Sequence, residues 1–562
     1  MKKEKDFQEL FMDTLNAIKK SYEDSGVEIE TEDISMEEIW IAMEDGVKLR
    51  AIIYKPRMYN RMPLVLQRSC YPQNEVFMRI HGEELAKRGY AYMCEYCRGT
   101  GGSEGIWEPN VNERKDGLDT LKWLERQDWV DCIGYWGDSY LALTGWAMAD
   151  MVTEKVKSMC LGNYGTDRYK SAYEKRLFRH DVLTSWAMGN AGYEITADYL
   201  ESCKYRPHEL VDEGLWGNKL EWYRQWVTNT RREDSYWQQG FWKELEGIPG
   251  KVKIPVYISE GWFDHHLGSA LVTWDCLSEE AKEHSWFDIG PLNHYGQISI
   301  TSYQPMNAYR SKCPSVLNWF EITLKQKKLP EKSVNVYVIG EDRWKEVGNW
   351  PYKNTQKLAL YLGTNSLGRL SKTTGGRGKI TYIYDPENPT PSRGSEAMLF
   401  TMNELGSLKQ PEPGLRDDVI SFISDAVTED IKIFGKIRVT LFVSTDAEDT
   451  AFSAKMMEIT PDGDAYNIRS SITTLGAEAE QYTPNDMTEV HIDMWDVAWT
   501  VREGSRIRLD ISSSDFPQYA VHSNYPGVWA KNRKTKKAKQ TIYFGETALS
   551  RIDMDIMSDR NN

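Results

Sequence analysis

The chain has no hydrophobic run that approaches a membrane span, which takes about 20 apolar residues. Its N-terminus, Met1-Lys-Lys-Glu-Lys-Asp, is charged and lacks the apolar stretch of a secretory signal. Cysteine is scarce: the eight in 562 residues fall between Cys70 and Cys313, with none in the last third. A secreted disulfide framework is denser and more evenly placed. Cys94 and Cys97 form a CxxC, but a redox CxxC opens a helix, and this pair ends an apparent strand. A zinc site needs a second ligand pair at matching spacing, and none is visible, so these cysteines read as reduced structural thiols. Positive charge is in deficit, with 69 Lys and Arg against 84 Asp and Glu, a net −15. Nucleic-acid binding needs clustered basic side chains. The one dense basic run, Lys531 to Lys539, reads as a solvated loop. Internal repeats and low-complexity tracts are also missing. These absences predict a cytoplasmic globular protein without a membrane or nucleic-acid partner.

What is present divides the chain. Phe7, Leu10, Phe11, Leu15 and Ile18 have helical spacing, so residues 1–38 read as a docked amphipathic helix and an acidic connector. Over 39–155, strand-like runs such as Pro63-Leu-Val-Leu-Gln and Tyr90-Ala-Tyr-Met-Cys alternate with amphipathic helices. That alternation predicts an α/β layer with a mostly parallel sheet. Residues 156–249 hold Trp186, Trp216, Trp222, Trp226, Trp237 and Trp242 and few strand-like runs, which predicts a helical cap insertion. The α/β pattern resumes over 250–352. From 353 to 562 it becomes strands with period two: Ile437, Val439, Leu441 and Val443 alternate with Lys436, Arg438, Thr440 and Phe442. That predicts an antiparallel β-sandwich domain.

Two serines compete as nucleophile. Gly101-Gly-Ser103-Glu-Gly105 is the one literal G-x-S-x-G. A nucleophile elbow needs a strand, a sharp turn and a helix opening on the serine, and Ser103 runs instead into Gly105-Ile-Trp-Glu-Pro109, a loop. Gly137-Asp-Ser139-Tyr-Leu141 misses the last glycine, but a strand runs into it and Leu141-Ala-Leu-Thr-Gly-Trp-Ala-Met runs out as an apolar helix. Helix capping alone would also place a serine there. The partners decide for chemistry. A serine needs a base, and the base an orienting carboxylate, in the chain order Ser, Asp, His for this kind of sheet. Asp264 follows Val256-Tyr-Ile-Ser and the turn Gly261-Trp-Phe; His294 follows the strand ending at Ile289 and the turn Gly290-Pro-Leu-Asn. Both fall just beyond strand ends, on the edge where Ser139 lies. His265 and His266 are weaker bases, too close in sequence to Asp264 to reach round to it. The N–H of Tyr140, at the helix start, is placed to donate to an oxyanion.

Several stretches together resemble the cocaine esterase and nonactin hydrolase family of α/β-hydrolases, related to Xaa-Pro dipeptidyl-peptidases and α-amino-acid ester hydrolases. They are Arg98-Gly-Thr-Gly-Gly-Ser-Glu-Gly105, Gly134-Tyr-Trp-Gly-Asp-Ser139-Tyr, Gly261-Trp-Phe-Asp264, Gly290-Pro-Leu-Asn-His294 and Arg506-Ile-Arg-Leu-Asp-Ile-Ser-Ser-Ser-Asp-Phe-Pro517. The likeness runs from about residue 39 to 550. It implies an α/β-hydrolase fold with a helical cap and a C-terminal all-β jelly-roll domain. It also implies an oxyanion hole made by a tyrosine hydroxyl, matched by Tyr71, and the Tyr140 N–H. No metal or cofactor is implied. It leaves room for a homodimer, because the sandwich domain in this family often packs between subunits. The chain departs from the family at Ala142 (usually glycine), Leu292 (usually tryptophan) and Tyr96 (usually aspartate), which bears on pocket shape.

The expected activity is that of a serine carboxylesterase on a small-molecule ester or amide, through Ser139, His294 and Asp264. Two rivals stand beside it. A dipeptidyl-peptidase acting after proline would use the same triad but needs carboxylates for a free amine, and the positions after Asp264 hold His265 and His266. An inactive ligand-binding scaffold would leave the triad idle.

Overall fold

The computed structural model describes residues 7–303, 305–308, 315–363, 368–394, 396, 405–479 and 481–558, without the side chains of 7–11, 13 and 14. In chain order the first strands are β1 (Ile34–Ala42), β2 (Lys48–Pro56), β3 (Met62–Ser69), β4 (Ala91–Tyr96), β5 (Val130–Asp138) and β6 (Val156–Gly162). A separate hairpin, β7 (Tyr173–Glu174) and β8 (Leu177–Phe178), precedes β9 (Val256–Phe263), β10 (Trp286–Asn293), β11 (Ser333–Val338) and β12 (Arg343–Val347). All but the hairpin form one sheet in the order β1-β2-β4-β3-β5-β6-β9-β10-β11-β12. Its interior is parallel, while β1, β2 and β12 pair antiparallel. Parallel strands covered on both faces read as unbroken apolar runs, and β4 is buried at all six positions.

The helices carry the matching period. The long first helix, α1 (Phe7–Asp24), docks through buried Tyr22, whose hydroxyl meets His81 Nδ1 at 2.9 Å. The apolar residues Phe7, Leu10 and Phe11 of its expected face have side chains outside the described set. Next come α2 (Glu75–Lys87), α3 (Glu113–Glu125) and α4 (Tyr140–Trp146), the last leaving the sheet directly after β5. In α2 the buried Met78, Gly82, Leu85 and Ala86 fall on one face.

One boundary differs from the sequence reading. The helical insertion expected from residue 156 starts later, because Val156–Gly162 is an inner strand between β5 and β9. Lys157, Ser158 and Gly162 break its apolar run, which hid a strand buried by neighbours rather than by its own composition. Beyond it the chain is mostly short helices, including α5 (Arg168–Ala172) and α6 (His180–Gly189).

Among the described residues, eleven further strands, from Thr355–Gly363 to Arg551–Met557, form the C-terminal β domain. Pairing is antiparallel except between Arg369–Ser371 and Ile420–Ser424. Ile437, Val439, Leu441 and Val443 are wholly buried and Lys436 and Arg438 exposed, as period two requires; Thr440 is the exception, buried at 0 % exposure. Buried Arg469 ties this domain to the first: it donates to Trp262 O at 2.5 Å and Asp496 O at 2.7 Å and pairs with Glu396 at 3.1 Å.

Candidate active site

A single residue, Ser139, separates β5 from α4. Its φ of 57° and ψ of −125° lie where a side chain is strained, the backbone of a nucleophile elbow. The neighbours are cut to fit. A Cβ on Gly137 would come within 2.3 Å of the Leu141 carbonyl, and one on Gly162 within 2.3 Å of Asp138 Oδ1. The Ser139 N–H donates to Gly162 O at 3.0 Å, which pins the turn to β6.

β9 and β10 bring the other two residues to the same edge. His294 Nε2 lies 3.0 Å from Ser139 Oγ, and His294 Nδ1 lies 2.8 Å from Asp264 Oδ2. Asp264 is fully buried, and its Oδ1 accepts the His266 N–H at 2.6 Å. The His294 turn is built by Asn293, whose Oδ1 accepts from the N–H groups of Tyr295 and Gln297. Asn163 Nδ2 fixes it by donating to His294 O at 3.0 Å. Three residues far apart in sequence thus form one hydrogen-bonded line.

The other expected residues are close by. The Tyr71 hydroxyl accepts from Trp186 Nε1 at 2.9 Å. Burial pushes the phenol well above its ordinary value, so it stays protonated. Tyr71 and Ser139 line the same cavity. The N–H of Tyr140 belongs to the first helical turn, which has no carbonyl partner inside the helix. Its own hydroxyl is committed elsewhere, to buried Glu113 and to the Asn110 N–H.

His265 and His266 do not hydrogen-bond Ser139. The His266 ring bonds Ser171 Oγ at 2.9 Å, and the His265 ring lies 4.2 Å from that of His294. Burial, then the charge of His294, holds both well below the ordinary histidine range, so they stay neutral. Asp264, His265 and His294 also bring three potential metal-ligating atoms within 4.8 Å. Both His294 ring nitrogens are already engaged, one with Asp264 and one with Ser139, so this donor set fits a proton relay better than a cation.

Ser139 borders two cavities, and Trp186 and His294 line both. One is wide, about 690 Å³, and lined by Phe77, His81, Trp136, Asp138 and Tyr199. The other is much smaller and more enclosed, about 30 Å³, and lined by Tyr164, Trp226, His265 and His266. Of the cap tryptophans, Trp222 and Trp242 face a separate groove, while Trp216 and Trp237 pack in the cap core. Ala142, Leu292 and Tyr96, the departures expected to alter the pocket, line neither cavity.

Sequence reasoning missed three residues here. Asp138 was the variable residue of G-x-S; it is exposed and lines the wide cavity. Trp186 was one tryptophan among many. Glu260 left a signal, a charge inside the apolar run Val256–Phe263. It is buried with no hydrogen-bond partner on either carboxylate oxygen, and burial, then the nearby Asp264, pushes it well above the carboxylate range.

Residues 45–296 match the family described as X-Pro dipeptidyl-peptidase (S15 family), and residues 327–553 match the X-Pro dipeptidyl-peptidase C-terminal non-catalytic domain. A cocaine esterase of Rhodococcus sp. (strain MB1 Bresler) is 27% identical over 548 residues, covering 88% of this chain and 93% of the relative. An aminopeptidase from a marine sediment Thaumarchaeota archaeon superposes with a TM-score of 0.79 at 20% identity, covering 94% and 97% of the two chains. An α-amino acid ester hydrolase does so with a TM-score of 0.75 at 19% identity and the same coverage.

Proposed function

We propose that the chain is a serine carboxylesterase with Ser139 as nucleophile, His294 as base and Asp264 as orienting acid, a reading supported by the match of residues 45–296 to the S15 family and of 327–553 to its C-terminal domain. The observation that carries the reading is the unbroken hydrogen-bonded line from Ser139 Oγ through His294 to Asp264. His294 takes the serine proton as Oγ attacks the ester carbonyl, and Asp264 holds the imidazole in the tautomer that can accept it. The Tyr71 hydroxyl and the Tyr140 N–H stabilise the oxyanion. The alcohol leaves with the proton from His294, and water splits the acyl-enzyme by the same route. No step calls for a metal or cofactor.

The substrate is a small-molecule ester, in keeping with the name of the Rhodococcus relative. The peptidase reading has one observation in its favour, Asp138 in the lining of the wide cavity. A free amine in such sites is usually held by more than one carboxylate, and among the described residues that line this cavity Asp138 is the only acid. The proposal includes a cytoplasmic setting, supported by the seven cysteines among the described residues, all of them free, and pairing of chains through the β domain, which sedimentation tests.

The decisive experiment compares hydrolysis of p-nitrophenyl butyrate and Ala-Pro-p-nitroanilide by wild type and Ser139→Ala. Ester turnover that the substitution abolishes supports the reading. Preferred cleavage of the anilide sinks it in favour of the peptidase, and ester turnover that survives Ser139→Ala removes the nucleophile assignment.

A further inference from the structure

Seven arginines are buried among the described residues, and six have a carboxylate at hand. Arg68 pairs with Glu95, Arg88 with Glu84, Arg98 with Asp116, Arg179 with Asp181, Arg469 with Glu396 and Arg508 with Asp510, all within 3.4 Å. The seventh is Arg168, at the start of α5 and only 9 % exposed, and no described carboxylate pairs with it. Its neighbour Asp167 is spent on Arg232 and the Lys170 N–H. The guanidinium lies instead over the rings of Trp226, at 5.0 Å, and Trp242, at 5.8 Å, and its Nε has no hydrogen-bond partner. Burying a cation without a counter-ion is costly, and aromatic faces offset only part of that cost.

Arg168 lines the small cavity beside Ser139. The polar groups it meets there are neutral: the Tyr164 hydroxyl, kept protonated by burial, and the rings of His265 and His266. His265 Nδ1 is likewise unpartnered. A cavity of about 30 Å³ holds one or two waters. Two lining residues with unpartnered polar atoms around so small a space, one of them a cation without a counter-ion, describe a receptor for a small anion.

The two cavities also fix which half of an ester goes where. The leaving alcohol must escape while the acyl group stays on Ser139, so the alcohol belongs in the wide cavity and the end of the acyl group in the small one. Charge agrees: the wide cavity is lined by Asp138 and by no lysine or arginine, and it would repel an anion.

We propose that Arg168 receives a carboxylate at the far end of the acyl group, so that this chain cleaves half-esters of short dicarboxylic acids. The proposal rests on the esterase reading above and narrows its substrate. Ser139 Oγ bonds the ester carbon, the bond from that carbon to the alcohol oxygen breaks, and the alcohol takes the serine proton through His294. Water then releases the dicarboxylate, and Arg168 holds the acyl-enzyme in register throughout.

Monomethyl malonate and methyl isovalerate have acyl groups of nearly the same shape, one ending in a carboxylate and the other in two methyls. Hydrolysis of each is followed by pH-stat for wild type, Arg168→Met and Arg168→Lys, with p-nitrophenyl acetate as a common control. Wild type is expected to favour the malonate by about tenfold or more in kcat/KM, the scale of one charge-assisted contact. Arg168→Met should lower malonate turnover about 100-fold and leave isovalerate within about threefold, and Arg168→Lys should restore part of the difference. A wild-type preference for isovalerate, or an equal loss on both esters in a folded Arg168→Met, overturns the proposal. Should Arg168→Met not fold, the wild-type preference and Arg168→Lys decide. Failure of wild type on p-nitrophenyl acetate as well would count against the esterase reading itself.

Discussion

Two serines sit in glycine-rich turns at the ends of neighbouring regions of the same sheet. Ser103 has the complete G-x-S-x-G sequence, and all its glycines, Gly101, Gly102 and Gly105, take positive φ. Its hydroxyl nevertheless does backbone work: it accepts the Arg50 N–H at 2.9 Å and donates to Tyr96 O at 2.8 Å. Ser139 has the incomplete sequence, yet it holds the strained turn between strand and helix and meets His294. The difference teaches that the chemistry lies in what precedes and follows the turn. A helix starting on the serine supplies an N–H and opens the hydroxyl toward neighbouring strand ends. A loop folds the hydroxyl back onto its own chain.

Substitutions can break this contrast, and they are ordered here from the largest effect expected. Ser139→Ala should cut kcat on p-nitrophenyl butyrate by about 10⁴-fold or more, while Ser103→Ala should leave it unchanged. Equal losses in the two variants would erase the distinction. Tyr71→Phe removes one oxyanion donor and should lower kcat by about 10²- to 10³-fold with KM little altered, which steady-state kinetics read directly. Ser103→Ala should instead appear in thermal unfolding, as a loss of about 1–3 kcal/mol for the hydrogen bonds it makes. The smallest effect belongs to Leu141→Gly, which completes the literal motif around Ser139. It should bring no gain in kcat.

Most of the frame was legible because burial and period write it into composition. The apolar runs Leu64-Val-Leu and Tyr90-Ala-Tyr-Met-Cys marked inner strands, and the alternation around Ile437 marked the β domain. Strand β6 was lost because its burial comes from the helices and strands around it. At the site, Ser139, Asp264 and His294 could be picked out because each follows a strand end. Trp186 and Arg168 could not, since each is placed by the cap's tertiary packing, which leaves no spacing in the sequence. Asp138 was visible as a residue, but its surroundings were not.

The bond between the Trp186 indole and the Tyr71 hydroxyl joins an element of the cap to one of the body. Under the proposed mechanism this ties the oxyanion tyrosine to the cap, since its indole donor sits on α6. A substitution that displaces α6 would therefore cost this phenol its indole donor even though it leaves Tyr71 itself untouched.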